Sequence, residues 1–365
     1  MNKFKNIVNY NRKRFSKLFF YSLYGKINDL KFTKKNYKFK IAEFDKFKKY
    51  KIHFMQNSRI YYNKITDVAY INNNSFIKDP SNQIRNFKNL KSKNNSVFIN
   101  GTPNFIKKIN GSTCSFLYTV SAKENYWHWM FDVLPKIPIL KKKVNFNKIN
   151  FFLFPEINKR FQKESLNALN IPYKKRLSGH KFNHIFSRNI ISSDHPFINK
   201  DMLKDQKKFP IWIGKWFKKI IKNKKIKRKS KLDKIYIDRS DSKNIFRTIV
   251  NEKELKAFLS LNSFKIITLS KISFLKQIEI FYNASCVLGL HGAGFANIVF
   301  CRPKTKIIEI GTTKKYNNII FSLAKANNLN YKCIFFKKVK KHLHHSSRHQ
   351  DQHLKVNTQI LKNVI

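Results

Sequence analysis

From Asp233 onward the hydrophobic pattern changes period at nearly regular intervals. The runs "KIYID" (234–238), "FKIITL" (264–269), "CVLGL" (286–290), "KIIEI" (306–310) and "YKCIFF" (331–336) are continuous apolar stretches of strand length. Between them, "EKELKAFLSL", "SFLKQIEIFYNA" and "NNIIFSLAKANN" space their apolar residues as helices do. Strands separated by helices predict an α/β domain with a parallel sheet covered on both faces, Rossmann-like, over residues 233–340. Asn251 with Glu254 three residues later has the form of a capping box opening the first of these helices.

Upstream the alternation is coarser. "CSFLYTV", "INFFLF" and "HIFSRNII" predict strands, and Asn125 to Lys141 and "INKRFQKESLNAL" predict helices. Met202, Leu203, Trp212, Trp216 and Phe217 share a helical spacing that Pro210 must interrupt or begin. Residues 111–217 therefore read as a second, less regular Rossmann-like domain. Residues 1–110 show only short patches such as "RIYYNKI" and "DVAYI" between Asn/Lys stretches, and read as a poorly patterned part of that first domain. The run "KKIIKNKKIKRKSK" (218–231) is too charged to pack in a core, so a linker or an exposed helix end is expected, with the domain boundary at 218–232. Residues 341–365 read as a His-rich loop followed by a C-terminal helix.

Composition narrows the class. A chain of 365 residues suits two domains, and 42% hydrophobic residues with 35 Phe exclude a disordered one. The formal charge of +56 attracts anionic partners: nucleotide phosphates, acidic lipid headgroups or nucleic acid. The lysines are spread along the whole length, so a solvated lysine coat is the simpler reading than a nucleic-acid interface. Cys114, Cys286, Cys301 and Cys333 form no CxxC pair, against a zinc site or disulfide framework and in favour of a reducing cytoplasm. The longest apolar stretch of the basic N-terminal segment, "LFFYSLY", is well below the roughly 18 residues of a membrane span. An ordinary N-terminal helix is expected there, with a peripheral contact at the acidic inner face of a membrane left open. Five of the eleven histidines fall between His342 and His353, and these are read as a polar loop rather than a metal site.

Three segments carry candidate chemistry. In "VLGLHGAGFANIVF" (287–300) an apolar strand runs into His291-Gly292-Ala293-Gly294 and then a helix. That geometry aims backbone N–H groups and the helix's positive end at one spot, suited to a diphosphate or serving merely as a tight turn. His291 is placed to donate to a phosphate oxygen. Arg239, just past the strand "KIYID", and Arg247 are candidates for bidentate phosphate recognition, against the plainer reading of surface arginines. In "NYWHWMFDVLPKI" (125–137), His128 and Asp132 lie four apart on one helix face. This is either a general base with its orienting carboxylate or a core histidine bonded for packing alone.

Together, "NYWHWMFDVLPK", the "YIDR…R…NE.EL" block and "VLGLHGAGFANIVFCRPKTKIIEI" resemble glycosyltransferase family 61, from about Ser112 to Phe336, and the tail "DQHLKVNTQILKNVI" resembles its closing segment. The resemblance implies a GT-B architecture: two Rossmann-like domains with parallel sheets facing across a cleft. It also implies an inverting hexosyl- or pentosyltransferase of capsular or cell-surface polysaccharide biosynthesis, using a nucleotide-sugar donor and a saccharide acceptor, with no cofactor and no required metal. The absence of any Asp-x-Asp agrees with the last point. By the same resemblance the donor nucleotide lies against Arg239, Arg247 and the stretch from His291 through Gly292, Ala293 and Gly294 to Asn297. Glu309 is placed near the ribose or simply as a capping carboxylate. The acceptor lies beside Asn125, Trp127 and Trp129, and His128 or Asp132 is the base. Two rival functions stay open: a basic nucleic-acid-binding protein and an inactive glycan-binding relative.

Overall fold

The computed structural model describes residues 2–29, 36–45, 48–63, 67–81, 84–85, 88–89, 91–118, 124–197, 209–242, 247–311, 319–339 and 353–365. Met202, Leu203 and the histidines from His342 to His349 lie outside the described residues. The chain divides into two compact units, Met1–Lys159 with Asn170–Asp205, and Arg160–Leu169 with Gln206–Ile365.

The first unit opens with a helix, Asn2–Tyr24, followed by β1 (Tyr37–Asp45), β2 (Lys48–Tyr62), β3 (Val68–Asn72), β4 (Ser75–Phe76) and a short ladder of β5 (Ile84–Arg85) and β6 (Lys88–Asn89). β7 (Lys107–Ser115), β8 (Phe151–Phe154), β9 (Arg176–Ser178) and β10 (His184–Ser193) complete it. Eight of these strands form one sheet in the order β4-β3-β2-β10-β7-β8-β9, with β1 also on β2. β10, β7, β8 and β9 pair in parallel, but β1, β3 and β10 all pair antiparallel with β2. The sheet is mixed, which corrects the expectation of a parallel one. β1, β2 and β3 follow one another with connections far too short for a parallel crossover, so they must turn back on themselves. The strand expected at "CSFLYTV" starts earlier and ends at Ser115, and the apolar Phe116–Tyr118 beyond it are simply buried.

The second unit is regular. β11 (Asp233–Asp238), β12 (Phe264–Thr268), β13 (Ala284–Leu290), β14 (Lys306–Gly311) and β15 (Asn330–Phe335) pair in parallel throughout, in the order β12-β11-β13-β14-β15. Numbered along the chain this is 2-1-3-4-5, a doubly wound order whose direction of travel reverses between β11 and β13. The crevice at the carboxyl ends of those two strands is where such sheets bind ligands. Tyr236, Leu255, Leu288 and Ile308 form its core with Leu361 from the helix Thr358–Lys362. Nearby, β16 (Lys338–Val339) pairs with β17 (His353–Leu354).

Two details differ from the pattern-based reading. Asn251 makes no side-chain cap on the helix Glu252–Leu261. Its amide instead exchanges two hydrogen bonds of 2.9 Å with the backbone of Val356, pinning the C-terminal segment. The helix Arg160–Ala168, assigned by sequence to the first domain, belongs to the second unit, where Glu164 accepts from the backbone N–H of Phe274 at 2.6 Å. Pro210 stands at the N-cap of the helix Ile211–Asn223, whose Phe217, Ile220 and Ile221 are buried, so the basic run at 218–231 opens as a helix end. No helix among the described residues is long and apolar enough to cross a membrane.

Candidate functional site

The aromatic helix of the first unit begins where Asn125 Oδ1 accepts the N–H of Trp127 at 2.9 Å, a side-chain cap. An α-turn (Tyr126–His128) passes into a π-helical segment (Trp129–Val133), then an α-helix, Lys136–Lys141. The widened turn has a local cause. Pro135 has no N–H to give Phe131, and in a regular α-helix its ring would strike that residue's carbonyl, so Leu134 bonds back to Trp129 across five residues (3.1 Å). Trp129, Met130, Phe131 and Val133 are buried by this segment.

On the same helix His128 Nδ1 donates to Asp132 Oδ2 at 2.7 Å. The other carboxylate oxygen lies 3.4 Å from Nε2 of His195. On its far side, Nδ1 of His195 lies 3.2 Å from the backbone nitrogen and 3.4 Å from the carbonyl oxygen of Phe197. The ring of Tyr118 stacks on His195 at 4.1 Å. Burial opposes ionisation of Asp132, but His128 and His195 outweigh it and hold its carboxyl far below the usual range. Burial likewise opposes charge on His128, and the charge and hydrogen bond of Asp132 together overcome it, so its pKa is raised. The His128 side chain is 31% exposed, and among the described residues its Nε2 has no hydrogen-bond partner. Lys136 donates to the carbonyl of Leu117 at 2.9 Å and is buried, which lowers its pKa to about 8 despite the nearby Asp132 and Asp194.

Of the three residues expected on the acceptor side, the two tryptophans are buried. Asn125 is the exposed cap; Trp127 is packed edge-on against Phe131 at 4.7 Å; Trp129 is wholly buried beside Phe154. Neither indole offers a face to a ligand, because the apolar stripe of this helix is core. A cavity of about 430 Å³ in the same unit, walled by Tyr37, Phe54, Gln56 and Asn189, includes none of His128, Asp132 and His195 in its lining.

The second unit brings its candidates to the reversal point of the sheet. Asp238, the last residue of β11, accepts from the Ser240 backbone (3.0 Å), Ser240 Oγ and Thr268 Oγ1 (both 2.8 Å) and pairs with Lys256 at 2.8 Å. This fixes the turn that carries Arg239. Both Arg239 (2.6 Å) and Arg247 (2.5 Å) donate through Nη1 to the carbonyl oxygen of His291, just beyond β13. Burial, and then the charge of Arg247, lower the pKa of Arg239 to about 10. Gly292 has an extended backbone, so its role is space: a Cβ there would stand 2.8 Å from Arg239 Nη1. The turn leads into a 3-10 helix, Ala293–Phe300, whose Gly294 lies against Leu269 and Ile237.

Two expected ligand contacts turn inward instead. Glu309, only 3% exposed, accepts from His291 Nδ1 through one oxygen and from the Tyr331 hydroxyl through the other, so it buttresses His291 and is not presented to a ribose or to a helix end. Burial and this carboxylate push the Tyr331 phenol upward. Asn297 is fully buried and donates to Gln277 at 2.9 Å, and Gln277 in turn holds the carbonyls of Leu269 and Ile272. Asn297 therefore braces the loop after β12 from inside. Of the histidines near the C-terminus, His353 is described, with Nδ1 2.6 Å from Thr248 Oγ1. His195, Tyr118 and Lys136 escaped the sequence reading: no spacing links His195 to residue 132, and only the course of β10 brings it there.

The family model described as Glycosyltransferase 61 matches residues 126–308, half of the chain, from the start of the aromatic helix to the middle of β14. No curated protein matches.

Proposed function

This chain belongs to glycosyltransferase family 61, and from that premise we propose that it is an inverting, metal-independent transferase of the GT-B type. It moves a hexosyl or pentosyl group from a nucleotide-sugar to a saccharide acceptor in capsular or cell-surface polysaccharide synthesis. The observation that carries the reading is the convergence of Arg239 and Arg247 on the His291 turn at the ends of β11 and β13. Two guanidinium groups that raise the cost of each other's charge are relieved by a dianionic ligand. In this reading the donor diphosphate takes the place between them and the N-terminus of the 3-10 helix, and its departing negative charge is stabilised there without a metal. For His291 to donate to a phosphate it must carry a proton on Nε2 as well as the one on Nδ1 that faces Glu309.

The first unit supplies the base. His128 Nε2 takes the proton of the acceptor hydroxyl while Asp132 keeps Nδ1–H in place. The acceptor oxygen forms a bond to the anomeric carbon as the bond to the diphosphate breaks on the opposite side. The nucleoside diphosphate leaves with the electron pair, and configuration inverts.

A thermal-shift panel of UDP-, GDP- and CMP-sugars tests the class, since a ligand that binds only the folded state raises the melting temperature. The expected result is a shift for one nucleotide series, undiminished by a chelator. Salt-sensitive RNA binding with no shift for any sugar nucleotide would overturn it. Product anomers read by NMR then check the inversion.

A further inference from the structure

The helix Asn2–Tyr24 has two faces of opposite character. Its inner face is fixed to the first unit. Phe20 packs on Phe105 (5.3 Å), Tyr24 meets the His184 ring edge-on (5.6 Å) and accepts the N–H of Ile106 (3.2 Å), and Lys17 donates to the carbonyl of Ile99 (2.7 Å). The outer face carries Phe15 (73% exposed), Leu18 (59%) and Phe19 (43%), at the i, i+3, i+4 spacing of one stripe. Phe105, itself 66% exposed and in edge contact with Phe19, extends the stripe beyond the helix. A contiguous exposed apolar patch of this kind marks an interaction surface, where scattered single residues would not.

The charge around the stripe says what covers it. The helix contains six Lys and Arg and no acidic residue. At 100° per residue, Arg12 and Arg14, both exposed, fall on opposite flanks of the Phe15–Leu18 line. A second copy of the chain would bring like charges together, and each copy carries +56 overall. An anionic bilayer matches both features, with headgroups for the flanks and an acyl boundary for the stripe. We propose that the helix Asn2–Tyr24 is an interfacial anchor that lies flat on an anionic phospholipid surface, with Phe15, Leu18 and Phe19 inserted and Arg12 and Arg14 on lipid phosphates. The proposal does not depend on the transferase reading.

The test uses the full chain and two vesicle preparations, phosphatidylcholine alone and an equal mixture with phosphatidylglycerol. The unaltered protein should float with the mixed vesicles and not with the neutral ones. The double variant Phe15→Ser/Leu18→Ser, which keeps every charge, should bind the mixed vesicles about tenfold more weakly or worse. Its melting temperature should not change, because both side chains are exposed. Arg12→Gln/Arg14→Gln should weaken binding and flatten its salt dependence. In Phe15→Trp, the added indole emission should shift to the blue only with anionic vesicles. No binding to anionic vesicles would overturn the proposal. So would equal binding by the serine variant, the mark of general polycation adhesion, or a dimer that the serine substitutions dissociate.

Discussion

Each unit places an imidazole against a carboxylate, and the two pairs are built to opposite ends. His128 and Asp132 sit on one helix, with the ring 31% exposed and one nitrogen turned away from the carboxylate. His291 follows β13 and Glu309 lies within the neighbouring parallel strand β14, with the ring 10% and the carboxylate 3% exposed, and Tyr331 shares the carboxylate. The same chemical pair can accept a proton in the first setting because Nε2 has an open edge. In the second it holds a backbone turn in place, since the His291 carbonyl is the point on which two arginines converge. Surroundings, and not the pairing itself, separate an open ring from a braced one.

The sharpest way to break this comparison is His128→Ala. Turnover should fall by roughly 10²- to 10⁴-fold, the usual span for a lost general base, while nucleotide affinity measured by calorimetry stays nearly constant. A variant with unaltered turnover would return the first pair to the status of a packing histidine. Next comes Arg239→Ala, which removes a charge-assisted hydrogen bond and should weaken nucleotide binding by about 1.5–3 kcal/mol. The reverse outcome, loss of turnover at unchanged affinity, would move the second site away from the donor. Smaller again is the contrast between two glycines. Gly292→Ala crowds Arg239 and should show as a loss of nucleotide affinity. Gly294→Ala puts its Cβ 2.9 Å from Leu269 and 3.1 Å from Ile237, and should cost about 1 kcal/mol in urea unfolding instead.

The smallest effect is the dependence on pH. Because the pKa of His128 is raised by folding, the stabilising contribution of its pair with Asp132 is complete below the ordinary imidazole value of about 6.5. It is lost as pH rises through the raised value. Turnover runs the other way, since only the neutral ring accepts a proton, and climbs over the same interval. Asp132→Asn removes the charge that raises the ring, so the rising limb of the rate profile should move to lower pH. If it stays in place, Asp132 does not govern the ring.

The second unit was legible because its three inner parallel strands, β11, β13 and β14, are buried on both faces and its helices expose one. The pattern therefore switches period at every boundary. β2 hid itself for the opposite reason. It is buried irregularly along fifteen residues, with partners on both edges, so no clean alternation marked it. The "NYWHWMFDVLPKI" helix and its His128–Asp132 pair could be read from spacing, yet the π-helical turn depends on how Pro135 is accommodated. The aromatic residues of this helix could be read from the sequence but not their place: Trp127 and Trp129 are core.

What the sequence by itself determined was everything whose physics is local: hydrophobic period, the glycine turn after β13, the arginine after β11, the family motifs and the basic apolar N-terminal helix. Tertiary structure alone decided which distant groups stand beside them. It set His195 against Asp132 at the end of β10, turned Glu309 and Asn297 inward, diverted Asn251 to Val356, and left Phe15, Leu18 and Phe19 facing outward. Those choices follow from strand order and from which face of each element the rest of the chain covers, and neither is encoded within one turn or one strand of sequence.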